Sequence, residues 1–94
     1  MILVMVHYQK PLEDVNRFRD EHRGFLGKYI DERKIVFTGR RNPPVGGLIL
    51  FNMEDARQVD EIMKQDPYFI NGVSRYELIE FTAGKCDERF SCFL

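Results

Sequence analysis

Hydrophobic and polar positions along this chain follow patterns that predict four strands and two long helices. A nearly continuous apolar run over residues 2–8 is typical of a strand that is covered on both faces. Apolar residues three or four positions apart predict helices over about residues 11–32 and from about Glu54 to Gln65. Short apolar or alternating segments predict further strands at residues 34–38, 47–51 and 73–81. The predicted order is therefore β-α-β-β-α-β.

Proline, glycine and asparagine mark the segments between these elements. Residues 40–46 predict a loop because two adjacent prolines and the Gly46-Gly47 pair interrupt regular structure. Residues 66–72 predict a compact connector that follows the second helix, since they contain Asp66-Pro67 and Gly72. Asn52 is the expected N-cap of the second helix.

The predicted order of elements indicates an α+β, ferredoxin-like domain with a βαββαβ arrangement. In that fold an antiparallel four-stranded sheet has both helices on one face. Apolar residues occupy both faces of the first three strands, so the helix-free face is too hydrophobic to remain in water. We therefore predict a homodimer, in which two helix-free faces pack together into a dimeric α/β barrel. Residues 1–82 form this single domain, and residues 83–94 form a C-terminal tail without periodicity.

The first helical pattern contains a histidine where an aliphatic residue would be expected. His22 lies four residues after Phe18 and three residues before Phe25, which places it on the apolar side of the helix. Its charged neighbours, including Arg19 and Arg23, are assigned to other sides of the helix. A titratable ring on the buried side is a candidate for proton transfer, because an imidazole exchanges its proton near neutral pH.

The second helical pattern ends with a carboxylate on its apolar side. Asp66 follows Ile62 by four residues and Met63 by three, and Pro67 disfavours helix at Asp66. If both helices lie on one face of the sheet, Asp66 and His22 point into the same crevice. A carboxylate that binds one imidazole nitrogen leaves the other nitrogen to act as an acid or a base.

Each of these residues also has a simpler structural explanation. A histidine on an apolar helix side can be a hydrogen-bonded core residue, and an Asp-Pro pair commonly caps a helix or begins a turn. His7 shares a strand face with Leu3 and Met5, which favours a role in the core or in the dimer interface. The catalytic and structural explanations of His22 and Asp66 both remain open at this level.

Four further residues are candidate ligand contacts. Arg40, with Arg41 beside it, has the planar guanidinium that binds a carboxylate through two hydrogen bonds, although a solvated hairpin tip is the alternative. Tyr8 and Tyr68 either line a pocket or simply pack near the ends of their elements. Ser74 is the inward-capable hydroxyl closest to the Asp-Pro connector, and it would be the nucleophile in a covalent mechanism.

Composition and charge argue against several other classes of function. A net charge of −1 over 94 residues provides no basic surface for nucleic acid. The longest apolar run, residues 1–6, is far shorter than the roughly 20 residues that a membrane-spanning helix needs. It also lacks the basic segment of a signal peptide, so we expect a cytoplasmic protein whose Cys86 and Cys92 are reduced. Neither a zinc-binding set nor a glycine-rich phosphate loop is present, and no metal or other cofactor is predicted.

Over about residues 2–81 the chain resembles the YciI-related (YCII) family, a branch of the dimeric α/β-barrel superfamily. The shared features, in chain order, are Tyr8, Arg17 with His22 and Phe25-Leu26, the segment Ile35-Val36-Phe37-Thr38-Gly39, Gly46-Gly47-Leu48, and Asp66-Pro67-Tyr68 with Gly72. The chain departs from relatives at Arg40, where proline is usual, and at Arg33-Lys34, where glycine commonly ends the first helix.

The resemblance implies a histidine–aspartate centre formed by His22 and Asp66. Some relatives are implicated in dehydrochlorination or in isomerisation of intermediates of aromatic degradation, so the expected function is that of a cofactor-free lyase or isomerase. It would move a proton on a small cyclic or aromatic acid held near Arg40. The alternative is a non-catalytic dimer that binds a small metabolite or a partner surface.

Overall fold

The computed structural model describes all 94 residues, and its elements follow the predicted order with additional short helices. They are β1 (Ile2–Tyr8), α1 (Leu12–Asn16), α2 (Arg19–Asp31), β2 (Ile35–Arg40), β3 (Gly46–Phe51), α3 (Ala56–Met63), α4 (Pro67–Ile70), β4 (Ser74–Glu80) and a 3₁₀ helix (Glu88–Phe93). None of the helices combines the length and the hydrophobicity that a membrane crossing requires.

The four strands form one antiparallel sheet in the order β2-β3-β1-β4. Strand β1 lies between β3 and β4, and its Val4 pairs with Ile49 on one side and with Leu78 on the other. This central position explains why β1 is the most continuously hydrophobic segment of the chain. The α+β ferredoxin-like fold that the sequence predicts is confirmed.

The core lies between the helices and one face of the sheet. Ile2, Val4 and Phe51 of the two central strands have no exposed surface. The helices contribute the facing apolar residues, which are Leu26, Tyr29, Val59, Ile62 and Met63. Full burial of one such side chain contributes about 1.5–3 kcal/mol, so this layer fixes helices α2 and α3 against the sheet.

The prediction of a single long helix over residues 11–32 is wrong, because the chain forms two helices there. The backbone N–H of Phe18 donates to the carbonyl oxygen of Val15, three residues earlier. This spacing is one residue shorter than that of an α-helical hydrogen bond and is common where a helix ends. The Phe18 side chain packs against a small cluster of Val15, Tyr68 and Val73. These contacts override the continuous helical spacing, and α2 begins three residues before His22.

The predicted loop over residues 40–46 is shorter than expected. Strand β2 continues to Arg40, which pairs with Gly47 of β3 instead of lying in the loop. A Cβ atom at Gly47 would lie 2.9 Å from the carbonyl oxygen of Gly39, and one at Gly46 would lie 1.8 Å from that of Val6. The two glycines therefore allow a close approach of strands and do not interrupt them.

The region after β3 also differs from the prediction at three places. Helix α3 is capped by Asp55, whose carboxylate accepts the backbone N–H of Arg57, so the prediction of Asn52 as the cap is wrong. The predicted connector contains the short helix α4, which follows directly after Asp66. The tail, which shows no periodicity, contains the 3₁₀ helix.

The face of the sheet without helices carries apolar side chains. Register and alternation place Leu3, Met5, Phe37, Leu48 and Ile79 on this face. Phe37 is 46% exposed and Ile79 is 41% exposed. The hydrophobic surface from which the sequence predicts a dimer is therefore present in the folded chain.

Candidate functional site

His22 and Asp66, 44 residues apart in the sequence, form a hydrogen-bonded pair in which His22 Nδ1 lies 2.7 Å from Asp66 Oδ1. Helix α2 presents His22 on its inner side, and Asp66 is the N-cap of α4. The same oxygen of Asp66 accepts the backbone N–H of Tyr68 at 3.0 Å. Pro67, the first residue of α4, favours the extended backbone that Asp66 has as the N-cap, and from this position the Asp66 carboxylate accepts from both donors.

The pair combines a fully buried carboxylate with a partly exposed imidazole. Asp66 has no exposed surface, and its second oxygen, Oδ2, has no hydrogen-bond partner in the protein. The His22 side chain is 15% exposed. Since the carboxylate accepts from Nδ1–H, it selects the tautomer in which Nε2 carries no proton. The Nε2 atom makes no hydrogen bond within the protein, so it is the nitrogen that can exchange a proton with a ligand.

Tyr68 sets the plane of the His22 ring. The two rings stack with centroids 3.8 Å apart and an angle of 6° between their planes. Tyr8 contacts the Tyr68 ring edge to face, at 6.0 Å between centroids. Burial, with the neighbouring Tyr8 phenol, raises the pKa of Tyr68, whereas Arg19 and Arg23 act in the opposite direction. The Tyr68 hydroxyl is therefore protonated at neutral pH, and the stack restricts His22 to one orientation.

A cavity of about 590 Å³ lies beside this pair, between helix α2 and strands β1, β2 and β3. This volume is in the range of roughly 300–1,000 Å³ that small-molecule sites occupy. His22 and Tyr68 form part of the wall, and apolar side chains such as Leu26 and Ile49 form another part. The arrangement therefore places an imidazole with one uncommitted nitrogen at a pocket of ligand size.

Three of the four predicted ligand contacts line this cavity, namely Tyr8, Arg40 and Tyr68. Ser74 does not. It is 3% exposed on β4, opposite Tyr8, and it is not part of the cavity wall. The structure thus does not bring the candidate nucleophile to the ligand, and a covalent mechanism through Ser74 has no geometric support.

Arg19 and Arg23 line the cavity as well, although the sequence assigns both residues to other sides of α2. Arg19 precedes His22 by three residues, which places it only about 60° from His22 around the helix. This spacing is the sequence signal that places Arg19 near the cavity. The long arginine side chains can also reach around the helix surface toward the cavity, as flexible basic side chains commonly do.

His7 forms a second histidine–carboxylate pair on the other face of the sheet. Its Nε2 binds Glu77 Oε1, and its Nδ1 lies 2.9 Å from Arg41 Nη1. Because a guanidinium only donates, Nδ1 accepts from Arg41 and Nε2–H donates to Glu77. Both nitrogens of His7 are therefore occupied by protein partners, and Arg41 is directed to this face although Arg40 lines the cavity.

Metal ligands are not brought together by the fold, since no group of three His, Cys, Asp or Glu side chains is arranged to hold an ion. Cys86 and Cys92 are exposed free thiols in the C-terminal segment. The candidate site is therefore composed of His22, Asp66, two tyrosines and three arginines.

Comparison with known proteins identifies the family. The model of the YCII-related domain matches residues 1–82, and the chain therefore belongs to the YCII-related family. Among curated proteins no sequence matches the chain.

A similar solved structure is that of 5-chloro-2-hydroxyhydroquinone dehydrochlorinase from Burkholderia phenoliruptrix AC1100, in complex with 2,5-dihydroxybenzoquinone. The two structures superpose with a TM-score of 0.73 at 16% sequence identity, over 89% of this chain and 96% of that chain. At this identity the similarity shows a common fold.

Proposed function

We propose that this YCII-related protein is a lyase or isomerase in which His22, oriented by Asp66, transfers a proton on a small cyclic or aromatic acid. The observation that carries this proposal is the His22–Asp66 pair at the cavity wall, with His22 Nε2 uncommitted. The similar dehydrochlorinase supports the reaction class, because removal of hydrogen chloride is an elimination, and supports a ring compound as ligand.

In the proposed first step, His22 Nε2 accepts a proton from a ring carbon next to a carbonyl or an equivalent electron-withdrawing group. The electron pair of the broken C–H bond moves into the ring. In an elimination it forms a new double bond while an anion leaves the adjacent carbon. In an isomerisation the same imidazolium returns the proton to a different carbon. Asp66 stabilises the imidazolium that exists between the two steps.

The other residues of the wall bind and orient the ligand. In this proposal Arg40, which lines the cavity, pairs with an acidic group through two parallel hydrogen bonds. Apolar side chains of α2 and β3 contact the ring, and Tyr68, stacked on the imidazole, holds it in one orientation. None of these roles requires a covalent intermediate.

A ligand screen with a matched pair of variants tests the proposal. Small carboxylates and hydroxylated aromatics, with 2,5-dihydroxybenzoquinone among them, are added to wild type, His22→Gln and His7→Gln in a thermal-shift assay. We expect at least one compound to stabilise wild type and His7→Gln, and to stabilise His22→Gln less. That compound is then assayed for turnover. Turnover that survives His22→Gln unchanged would contradict the catalytic role.

A non-catalytic binding module is the second candidate, and one observation favours it. Asp66 caps α4 by accepting the N–H of Tyr68, so its position near His22 also has a purely structural reason. A ligand that stabilises wild type and His22→Gln equally, without any conversion, would favour this alternative.

We also propose that the protein is a homodimer through the helix-free face of the sheet. Phe37 and Ile79 leave large apolar surfaces exposed there, which association with a second copy would bury. Sedimentation velocity should show twice the mass of the chain for wild type and a smaller species for Ile79→Lys. Ile70→Lys is the matched control, because Ile70 is an exposed isoleucine on α4, outside this face. A monomeric wild type at all concentrations would contradict the proposal.

A further inference from the structure

Apart from the buried Asp66 behind His22, the charged side chains at the cavity are arginines. Arg19 and Arg23 project from helix α2, one turn apart, and Arg40 projects from the end of β2. No Asp or Glu side chain is part of the cavity wall. The chain as a whole has 14 basic and 15 acidic residues, so this concentration of positive charge is a local feature and does not reflect the overall composition.

None of the three arginines is neutralised within the protein. The ion pairs of the chain involve His7, His22, Lys64 and Arg89, and no carboxylate pairs with Arg19, Arg23 or Arg40. The acidic residues next to Arg19 on α2, Asp20 and Glu21, are exposed and lie outside the cavity wall. The guanidinium groups are therefore available to an anion that enters the cavity.

The positive charge occupies two separate positions. Arg19 and Arg23 are one turn apart on helix α2, whereas Arg40 is the last residue of strand β2. Arg40 is on an edge strand of the sheet, and the other two are on the helix that covers the sheet. Apolar side chains, including Val6, Leu26 and Ile49, complete the wall.

We propose that the cavity binds a small cyclic or aromatic compound with two acidic groups, one held by Arg19 and Arg23 and the other by Arg40. The ring between the two acidic groups contacts the apolar part of the wall. This inference names the ligand class of the site in the proposed function, and the part that concerns binding depends only on the arginines. Guanidinium–carboxylate pairs have a fixed bidentate geometry, so the spacing of the two acidic groups would select the ligand.

Isothermal titration with matched benzene derivatives tests the proposal. The probes are isophthalate and terephthalate with two carboxylates, benzoate with one, and isophthalamide as the uncharged analogue. We expect one of the two diacids to bind about 10-fold to 100-fold more tightly than benzoate, which corresponds to one additional hydrogen-bonded ion pair. Isophthalamide should bind more weakly than either diacid. Equal binding of isophthalamide and the diacids, or binding of none of the four probes at millimolar concentration, would overturn the proposal.

Arginine variants identify the two binding positions. Arg40→Gln should reduce the affinity for the diacid to that for benzoate and should leave the benzoate affinity within about two-fold, since benzoate can still bind at Arg19 and Arg23. Arg19→Gln should weaken binding of the diacid by about 10-fold. Arg57→Gln is the control, because Arg57 is an exposed helical arginine outside the cavity and its loss changes the net charge equally. If Arg57→Gln weakens diacid binding as much as Arg40→Gln, general electrostatic attraction explains the binding and the proposal is wrong.

The same titrations distinguish this inference from the proposed reaction. His22→Gln should keep most of its affinity for the diacid, because the arginines are unchanged. Tight binding of a diacid would support the arginine assignment and would not bear on catalysis at His22, because the phthalates have neither a leaving group nor an acidic C–H; the turnover assay on the screened compound tests catalysis separately. Conversion of an uncharged ring compound by wild type, without diacid binding, would support catalysis and overturn the inference about the arginines.

Discussion

The protein contains two histidine–carboxylate pairs, one on each face of its sheet, and they differ in the surroundings of the carboxylate. The two imidazole side chains are similarly exposed, 15% for His22 and 18% for His7. Their carboxylate partners differ in exposure, because the Asp66 side chain is buried, at 1% exposed, and the Glu77 side chain is 53% exposed. His22 has one nitrogen without a protein partner and lies at a cavity, whereas both nitrogens of His7 are hydrogen-bonded.

This difference shows that a histidine–carboxylate contact alone does not define a site for proton transfer. The imidazole also needs a nitrogen that a ligand can reach and a carboxylate that water does not screen. His22 with Asp66 satisfies both conditions. His7, held between Glu77 and Arg41, satisfies neither and has the properties of a structural crosslink between β1, β4 and the β2–β3 hairpin.

The largest expected difference between the two pairs is in catalysis. With a compound that the ligand screen identifies and wild type converts, His22→Gln should lower the turnover rate by about 10²–10⁴-fold, the usual contribution of a general acid or base. His7→Gln should change the rate by no more than about two-fold, because His7 does not line the cavity. Stopped-flow or steady-state rates measure both effects, and similar losses in the two variants would remove the distinction.

The second expected difference is in stability. Asp66→Ala should lower the free energy of unfolding by about 2–4 kcal/mol, because the buried His22 Nδ1–H and Tyr68 N–H lose their acceptor and α4 loses its cap. Glu77→Ala should cost less than about 1 kcal/mol, since its carboxylate is largely in water. Urea unfolding at equal protein concentration measures the free energy of unfolding of both variants. A larger loss for Glu77→Ala would show that the second pair is the more important one for folding.

The hydrogen bonds also predict opposite tautomers for the two histidines. His22 should be protonated on Nδ1, which donates to Asp66, and His7 on Nε2, which donates to Glu77. Long-range ¹H–¹⁵N correlation spectra distinguish these forms. Arg41→Gln should lower stability by about 1 kcal/mol or less and weaken the tautomer preference of His7 alone. A change at His22 in this variant would mean that the two faces are coupled.

The smallest expected effect concerns the Tyr68 phenol behind His22. Burial raises its pKa in the folded protein, so the unfolded chain releases the phenolic proton first as the pH increases. The stability that this group contributes is complete below the unfolded pKa of about 10 and is lost as the pH rises through the folded value. Between pH 8 and 11, the free energy of unfolding should therefore fall less for Tyr68→Phe than for wild type. Identical alkaline losses would indicate that the phenol is not burial-shifted.

Much of the fold follows from local sequence patterns. The strands β1, β3 and β4 were predicted to within one residue at each end, because apolar runs, alternation and flanking glycines act over short distances. The break at Phe18 was not predicted, because contacts with Tyr68 and Val73, far away in the sequence, produce it. The extension of β2 to Arg40 likewise depends on pairing with β3.

Some features of the candidate site also follow from local sequence patterns, and others depend on tertiary packing. Helical spacing identifies His22, and helical spacing with the Asp-Pro boundary identifies Asp66, because each signal is local to one helical pattern. The shared crevice follows only from the predicted placement of both helices on one face of the sheet. The sequence could not establish that Asp66 is fully buried, that Tyr68 stacks on His22, or that Arg23 lines the cavity while Ser74 does not; for Arg19 the helical spacing from His22 is a partial signal. Only the tertiary structure decided these points, because each depends on how α2, α4 and the sheet pack together, and no local pattern encodes the distance between separate elements.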